Sequence, residues 1–157
     1  MLSTIHERPG VYSSYDASSI VAGGRANKVI GVAALAVKGT ANTAVTLTGY
    51  GAGVEAFGED GADTPGMSTL LKLLFANGAS TVYAVRVDAG GGLEAYQAAF
   101  AALANCDVQV VVCDSSELTI QKALKTAVET ASAARGERIG VIGGSGDTAA
   151  QLVTRAE

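Results

Sequence analysis

The sequence contains no tryptophan, and aromatic residues of all kinds make up only 5% of its 157 residues. The apolar content of 48% is mostly alanine and valine, which suits closely packed helices on a sheet better than an aromatic-lined pocket. Positive charge is also scarce, because 15 aspartates and glutamates outnumber 11 lysines and arginines and no basic cluster occurs. Binding a phosphate backbone requires several cations on one face, so nucleic acid is not expected as a partner.

Long apolar runs are absent as well. No stretch approaches the roughly 20 apolar residues that a membrane-spanning helix needs. The first residues also lack a cationic start followed by an apolar run, so no signal peptide is expected. We expect a chain without membrane insertion, of a length that suits one domain.

Histidine and cysteine are too few to build most reactive sites. His6 is the only histidine, and Cys106 and Cys113 are the only cysteines. The run between the cysteines is strand-like, which places them roughly 20 Å apart, too far for a disulfide. One histidine and two separated cysteines make a poor metal site. His6 also lies away from every predicted strand end, so a Ser-His-Asp arrangement is not expected.

The first 27 residues are predicted to form an extended N-terminal arm and linker. Pro9 fixes one backbone angle and Gly10 frees the next, so the pair predicts a corner. Residues that favour strands follow, separated by serines: Val11, Tyr12, Tyr15, Ile20 and Val21. Such a segment can pair with a sheet but contributes little core, so we expect its partner in another subunit. These seven residues are the predicted subunit-interaction residues, and Gly23 and Gly24 are the predicted hinge.

Residues 28–157 are predicted to form one α/β domain. Strands are predicted at Val29 to Val37, Ala44 to Thr48, Thr81 to Val87, Val108 to Cys113 and Ile139 to Ile142, the last two of them buried. Helices are predicted to begin at Thr64-Pro65, after Gly90-Gly91-Gly92, at Ser115 or Ser116, and at Asp147 or Thr148. The glycine-rich stretch from Gly49 to Gly61 predicts a long irregular connection.

From Thr81 onward, strands and helices alternate, which predicts a parallel sheet with helical crossovers. The expected fold class is α/β, with a mixed or mostly parallel sheet, helices on both faces and the extended N-terminal arm in front. The last helix carries no stop signal before Glu157 and no strand follows it. In an alternating pattern this resembles a unit cut in the middle, so we expect a domain truncated at its C-terminal end.

Three groups of residues have types that can carry chemistry, and each has a simpler structural explanation. Gly143 to Asp147 connect a strand to a helix but match no phosphate-binding spacing, which predicts a plain tight turn. The acids near strand ends, Asp88, Asp107, Asp114 and Glu117, suit helix N-termini. The acids around the glycine-rich stretch lack calcium-loop spacing and predict a solvated or subunit-facing loop: Glu55, Glu59, Asp60 and Asp63. No catalytic, cofactor-binding or metal-binding residue is predicted.

Three segments resemble one family. The start Glu7-Arg8-Pro9-Gly10-Val11-Tyr12 is similar to the start of contractile-tail sheath proteins of bacteriophages and phage-derived tail-like particles. The similarity continues through Ile30 to Ala36. It returns between Leu70 and Val87, where a helix ending in Asn77-Gly78-Ala79 leads into a strand. Order and spacing fit together, and the resemblance touches the first two-thirds of the chain.

The resemblance implies a structural protein, not an enzyme, whose copies stack as hexameric rings around a tail tube and contract. Its implied partners are further copies of itself, the tube protein, and baseplate and tail-end proteins, with no cofactor. The N-terminal arm would exchange strands with neighbouring subunits. The implied location is the tail of a virion or tailocin-like particle, assembled in the bacterial cytoplasm. Two alternatives remain open: a nucleotide-binding or enzymatic doubly wound domain, and another self-assembling tube or shell protein.

Overall fold

A computed structural model describes residues 29–61, 66–144 and 146–156. Five strands and five helices occur in these ranges. They are β1 (Val29–Ala34), β2 (Ala44–Leu47), α1 (Tyr50–Phe57), α2 (Met67–Ala76), β3 (Thr81–Arg86), α3 (Leu93–Ala104), β4 (Val110–Cys113), α4 (Leu118–Ala133), β5 (Ile139–Val141) and α5 (Ala149–Ala156). The α/β fold class predicted from the sequence is confirmed.

The strands form one mixed sheet in the order β2-β3-β1-β4-β5, in which β2 is antiparallel to β3 and the other pairs are parallel. Strand β1 lies at the centre, and its small and β-branched residues are mostly buried because both faces are packed. The register places Ile30 beside Val82 on one side and Val110 on the other.

Helices pack on both faces and define two cores. Helices α3 and α4 cover one face, where Val85, Phe100 and Leu124 are buried together. Helices α1 and α2 cover the opposite face over β1, β2 and β3, where Val32, Phe57 and Leu71 are buried together. On this second face, α1 and α2 do not extend over β4 and β5. The side chains of β4 and β5 on this face therefore lack a helix above them.

The prediction of an irregular connection between Gly49 and Gly61 was wrong, because α1 occupies Tyr50–Phe57. Tertiary packing outweighs the poor helix propensity of glycine here. A Cβ atom on Gly53 would lie 2.6 Å from Leu71 Cδ1, so glycine is what lets α1 lie close against α2. Phe57, at the last turn of α1, is also buried.

The prediction of a buried strand at Ile139 to Ile142 was wrong in its burial. Strand β5 forms, but it is short and all three of its residues are exposed. A run of apolar residues indicates a strand but not its place in the sheet, and β5 is an edge strand. A smaller correction concerns α4: Glu117, not Ser115 or Ser116, directly precedes its first turn.

Candidate assembly surface

The predicted subunit-interaction and hinge residues all lie outside the described residues, so those predictions stay predictions: Pro9, Gly10, Val11, Tyr12, Tyr15, Ile20, Val21, Gly23 and Gly24. Within the described ranges, the surface best suited to assembly is the outer side of β5. It combines an open backbone edge with exposed apolar side chains, and sequence reasoning did not single it out.

The backbone of β5 is paired on one side only. The Ile139 N–H donates to the Gln109 carbonyl at 3.0 Å, so this residue points its polar groups toward β4. In a strand, the N–H and C=O groups of successive residues point to alternate sides. The N–H and C=O of Gly140 therefore point away from β4. Among the described residues, β4 is the only strand beside β5. Gly140 therefore offers one donor and one acceptor to an added strand.

One face of this edge is apolar and uncovered. In register, Val110 lies beside Ile139 and Val112 beside Val141, so all four side chains share the face of α1 and α2. Because those helices stop over β1, Ile139 and Val141 remain 62% and 51% exposed. Ile142, the next residue, is 42% exposed. Exposed apolar residues in a row on a strand edge are typical of a surface that another chain covers.

The opposite face of β5 borders a groove. Gly140 faces Leu124 and Val128 of α4, and a Cβ at this position would make ordinary contacts of 3.5 Å with both. Between α4 and β5 lies an open, mostly apolar groove of about 420 Å³. Its charged rim carries Lys122, Lys125, Arg138, Arg155 and a single acid, Glu129. Cations outnumber acids on this rim, although Arg155 is paired with Asp147 and the whole chain has a net charge of −4.

Arg138 fixes the start of β5 against the body. Its guanidinium donates to the carbonyls of Leu103 at 3.1 Å and Cys106 at 3.3 Å, which end α3, and to Gly136 at 3.1 Å. All three acceptors are carbonyl groups, so none of these hydrogen bonds pairs the positive charge of Arg138 with a carboxylate. No local pattern predicts these contacts, because two of the partners are more than 30 residues away.

The turn after β5 is built by a second polar network. Gln121 is only 3% exposed, and its Nε2 group donates to the carbonyls of Gly143 at 2.6 Å and Ser115 at 3.1 Å. Its Oε1 atom accepts a hydrogen bond from Arg155 of α5. Arg155 also forms a bidentate ion pair with Asp147, with N–O distances of 2.9 and 3.0 Å. The network ties α5 to α4.

The plain turn predicted for residues 143–147 includes Ser145, which lies outside the described residues, so that interpretation stays a prediction. The Asp147 carboxylate, which is paired with Arg155, fills the space that a side chain on Gly144 would need. Thr148 and Gln151 bond reciprocally at the start of α5, with the Thr148 N–H donating to Gln151 Oε1 at 2.8 Å. These bonds occupy helix N-terminal donors.

Asp114 lies directly after β4, at the carboxyl ends of the parallel strands, where α/β folds usually bind ligands. Its carboxylate accepts hydrogen bonds from the Leu35 N–H at 2.9 Å and from the Tyr96 hydroxyl. The Leu35 carbonyl in turn accepts the Met67 N–H at 2.9 Å. This chain of bonds joins α3 on one face to α2 on the other. Burial raises the pKa of Asp114, although the two hydrogen-bond donors act to lower it. The pKa of Tyr96 is also raised, mainly by burial and further by its hydrogen bond to Asp114.

Asp60 is a second carboxylate with a structural role that the sequence did not indicate. It was grouped with loop acids, but its Oδ2 atom accepts the N–H groups of Gly66 and Thr69 at 2.9 and 2.8 Å and so caps α2. Burial acts to raise the pKa of Asp60, yet these backbone donors together outweigh it and lower the pKa. Ser68 completes the cap by accepting the Asp60 N–H.

Other reactive arrangements are not found in the described ranges. Cys106 and Cys113 are free thiols, as predicted. Residues 29–61, 66–144 and 146–156 contain no group of three or more histidines, cysteines or acids that could hold a metal ion. None of the helices in those ranges has the length and apolarity needed to span a membrane.

The comparisons with known proteins agree with this fold. A solved structure of the anti-feeding prophage (AFP) helical sheath, determined in the contracted state, matches the chain with a TM-score of 0.54. The match covers 92% of this chain at 17% sequence identity. No family model matches, and no curated protein matches by sequence.

At that level of identity, the match shows the fold: the described α/β body has the architecture of part of a contractile-sheath subunit. The relation is distant, and the match spans only 42% of the sheath chain. The matched structure is a contractile sheath, the kind of protein that the three sequence segments also resemble.

Proposed function

We propose that this chain is a structural subunit of a contractile tail sheath, which polymerises around a tail tube and contracts to drive it through a cell envelope. The observation that carries the proposal is the fold match to a contracted sheath over 92% of the chain. It is supported by the sequence segments around Glu7 to Tyr12 and Leu70 to Val87, which resemble the same family.

The body is built to move as one unit. The two cores lie on opposite faces of one sheet, and the bonds from Tyr96 through Asp114 and Leu35 to Met67 join the two helix layers. A subunit that rotates during contraction needs such a rigid body together with pliable connections. We place those connections at Gly23 and Gly24, next to the N-terminal arm.

Contraction would then be driven by many small differences in interface free energy, summed over stacked rings. The chain would contact further copies of itself, the tube protein, and the baseplate and tail-end proteins. It would be found in the tail of a virion or of a phage-derived particle. It would have no enzymatic role.

The test is to delete residues 1–22 and compare assembly by electron microscopy with that of the unaltered chain. A second variant keeps Pro9-Gly10 but scrambles residues 11–21, so that length and composition match those of the unaltered chain, which is the control. Circular dichroism should show that all three proteins fold. We expect tubular assemblies from the unaltered chain and none of comparable length from the other two. Tubes of normal length after the deletion would refute the role of the N-terminal arm.

A further inference from the structure

Helix α5 directs its polar side toward the body and its apolar side toward solvent, the reverse of the usual arrangement for a surface helix. Arg155 bonds to α4, whereas Leu152 and Val153 are 53% and 59% exposed. We infer that this position is the open one of two, and that α5 is a lid that closes onto the groove between α4 and β5 and buries Leu152 and Val153 there. The inference goes beyond the proposed function, because it concerns a movement within one copy.

Arg155 ties α5 to α4 through a single atom. Its Nη1 group donates to the Ser116 carbonyl at 3.0 Å and to Gln121 Oε1. Its Nε and Nη2 groups bond to Asp147, which lies in the connection before α5. Asp147 therefore orients the guanidinium toward α4 but does not itself attach α5 to the body.

The rest of α5 is not packed. Of its side chains that the structure describes, only that of Arg155 is not exposed, and none belongs to either apolar core. An open space of about 250 Å³ lies between Leu118 of α4 and the side of α5 that carries Gln151 and Thr154. Few buried contacts and a polar attachment are typical of elements that open locally at low free energy.

The order of the elements indicates where α5 would pack. Helices α3 and α4 follow β3 and β4, and both pack on the same face of the sheet. A helix that follows a parallel strand normally packs back onto the sheet, and α5 follows β5, which is parallel to β4. The corresponding place is beside α4 over β5, where the groove of about 420 Å³ lies. The topology therefore leaves this groove for α5.

The groove suits the apolar side of α5 in character and in length. Leu124 and Val128 of α4 line it opposite Gly140, which has no side chain to fill it. It extends along α4 from Leu118 to Glu129, which is about 16 Å of helix. An α-helix of eight residues is about 12 Å long, so α5 fits along it.

Helix α5 already lies at one end of the groove, so the movement is short. Arg155 lines the groove together with Ile142, the residue that follows β5. The connection to α5 contains Gly143 and Gly146, and a Cβ atom on either would meet no atom within 4 Å. Glycines in open space can change their backbone angles without a clash. Closing exchanges two hydrogen bonds for the burial of two apolar side chains, so Arg155 is the residue that holds α5 open.

The experiment places a diazirine cross-linker at Leu152 in the full chain, with ordinary and ¹⁵N-labelled protein unfolded in urea and refolded together as an equal mixture. We expect products that join this position to the groove residues of α4 or β5 within one copy, so that light and heavy peptides stay unmixed. Mixed-isotope products would mean that the helix of a second copy enters the groove and would overturn the inference. Products that omit the groove would overturn it as well.

Two variants test whether Arg155 holds α5 open. Arg155→Ala removes both bonds to α4 and should raise the one-isotope yield at least about fivefold, the effect of one hydrogen bond on an equilibrium. Thr154→Ala is the matched control, because Thr154 is exposed and its Oγ1 group donates within α5 to the Ala150 carbonyl. It should stay within about twofold of the unaltered chain. Equal yields from the two variants would contradict the inference.

A third variant tests the closed position and leaves the bonds of Arg155 in place. Val153→Lys changes a side chain that is exposed in the open position, whereas burial in the groove would take its ammonium group out of water. We expect it to lower the one-isotope yield at least about fivefold. Circular dichroism checks that each variant folds. An unchanged yield from Val153→Lys would overturn the inference even if Arg155→Ala did not fold.

Discussion

Replacing Asp114 tests whether the stability of the α/β body depends on the hydrogen bonds that join its two helix layers. Asp114→Ala removes the acceptor of the Leu35 N–H and of the Tyr96 hydroxyl. Hydrogen bonds to a charged group contribute about 1.5–3 kcal/mol each, or about 3–6 kcal/mol for the pair. Partial burial disfavours the charged carboxylate, as the raised pKa of Asp114 indicates, and its removal offsets part of this loss. We expect a net loss of about 2 kcal/mol.

Asp114→Asn is the matched control. Its amide oxygen can still accept a hydrogen bond from the Leu35 N–H, and its amide nitrogen can donate one to the Tyr96 oxygen. The asparagine side chain carries no charge. At pH 7 we expect it to be at least as stable as the unaltered chain. Because the folded-state pKa of Asp114 is raised, the folded chain holds this proton more tightly than the unfolded chain. The unaltered chain should therefore gain stability relative to Asp114→Asn as pH falls through that pKa.

Urea unfolding at several pH values measures these differences directly. A loss of about 2 kcal/mol corresponds to a fall in Tm of about 4–8 °C for a chain of this length. An unchanged slope against urea would show that the variants unfold over the same transition. If Asp114→Ala and Asp114→Asn had the same free energy of unfolding, the assigned role of this carboxylate would be wrong.

Four further substitutions probe the packing and the helix cap that the structure shows. Gly53→Val should cost about 1–3 kcal/mol, since its side chain meets Leu71, whereas Gly51→Ala enters open space and should gain about 0.5–1 kcal/mol; thermal melts of both would separate the two glycines. Leu124→Ala should cost about 2–5 kcal/mol and increase hydrogen exchange in β5, and unchanged exchange would count against its support of that strand. Asp60→Ala should cost about 1 kcal/mol at neutral pH. Because the folded-state pKa of Asp60 is lowered, that difference should vanish as pH falls below the ordinary value of 3.8 and through the lowered pKa; a pH-independent difference would contradict the cap.

The elements predicted best from the sequence are those whose side chains repeat over ten or more residues. Helix α4 shows this: Ile120 and Leu124 lie at helical spacing and are buried as that spacing predicts. Helix α1 was missed because its glycines lower local propensity, and only the contact of Gly53 with Leu71 of α2 explains its stability. Long-range packing of this kind leaves no mark within a short window of sequence.

The same limit applies to the candidate surface. The apolar run at Ile139 predicts a strand, but whether a strand is buried depends on its neighbours in the sheet, and these are set by topology. Arg138 and Gln121 act through partners that lie more than 20 residues away in sequence. Their roles could not be predicted from spacing.

Cryo-electron microscopy with helical reconstruction of particles that contain this chain tests the central claim most directly. The account predicts a hollow wall of stacked rings around a tube, in which each repeating unit contains the five-stranded sheet described above. A closed shell, or a discrete globular particle with no tube and no helical repeat, would contradict it.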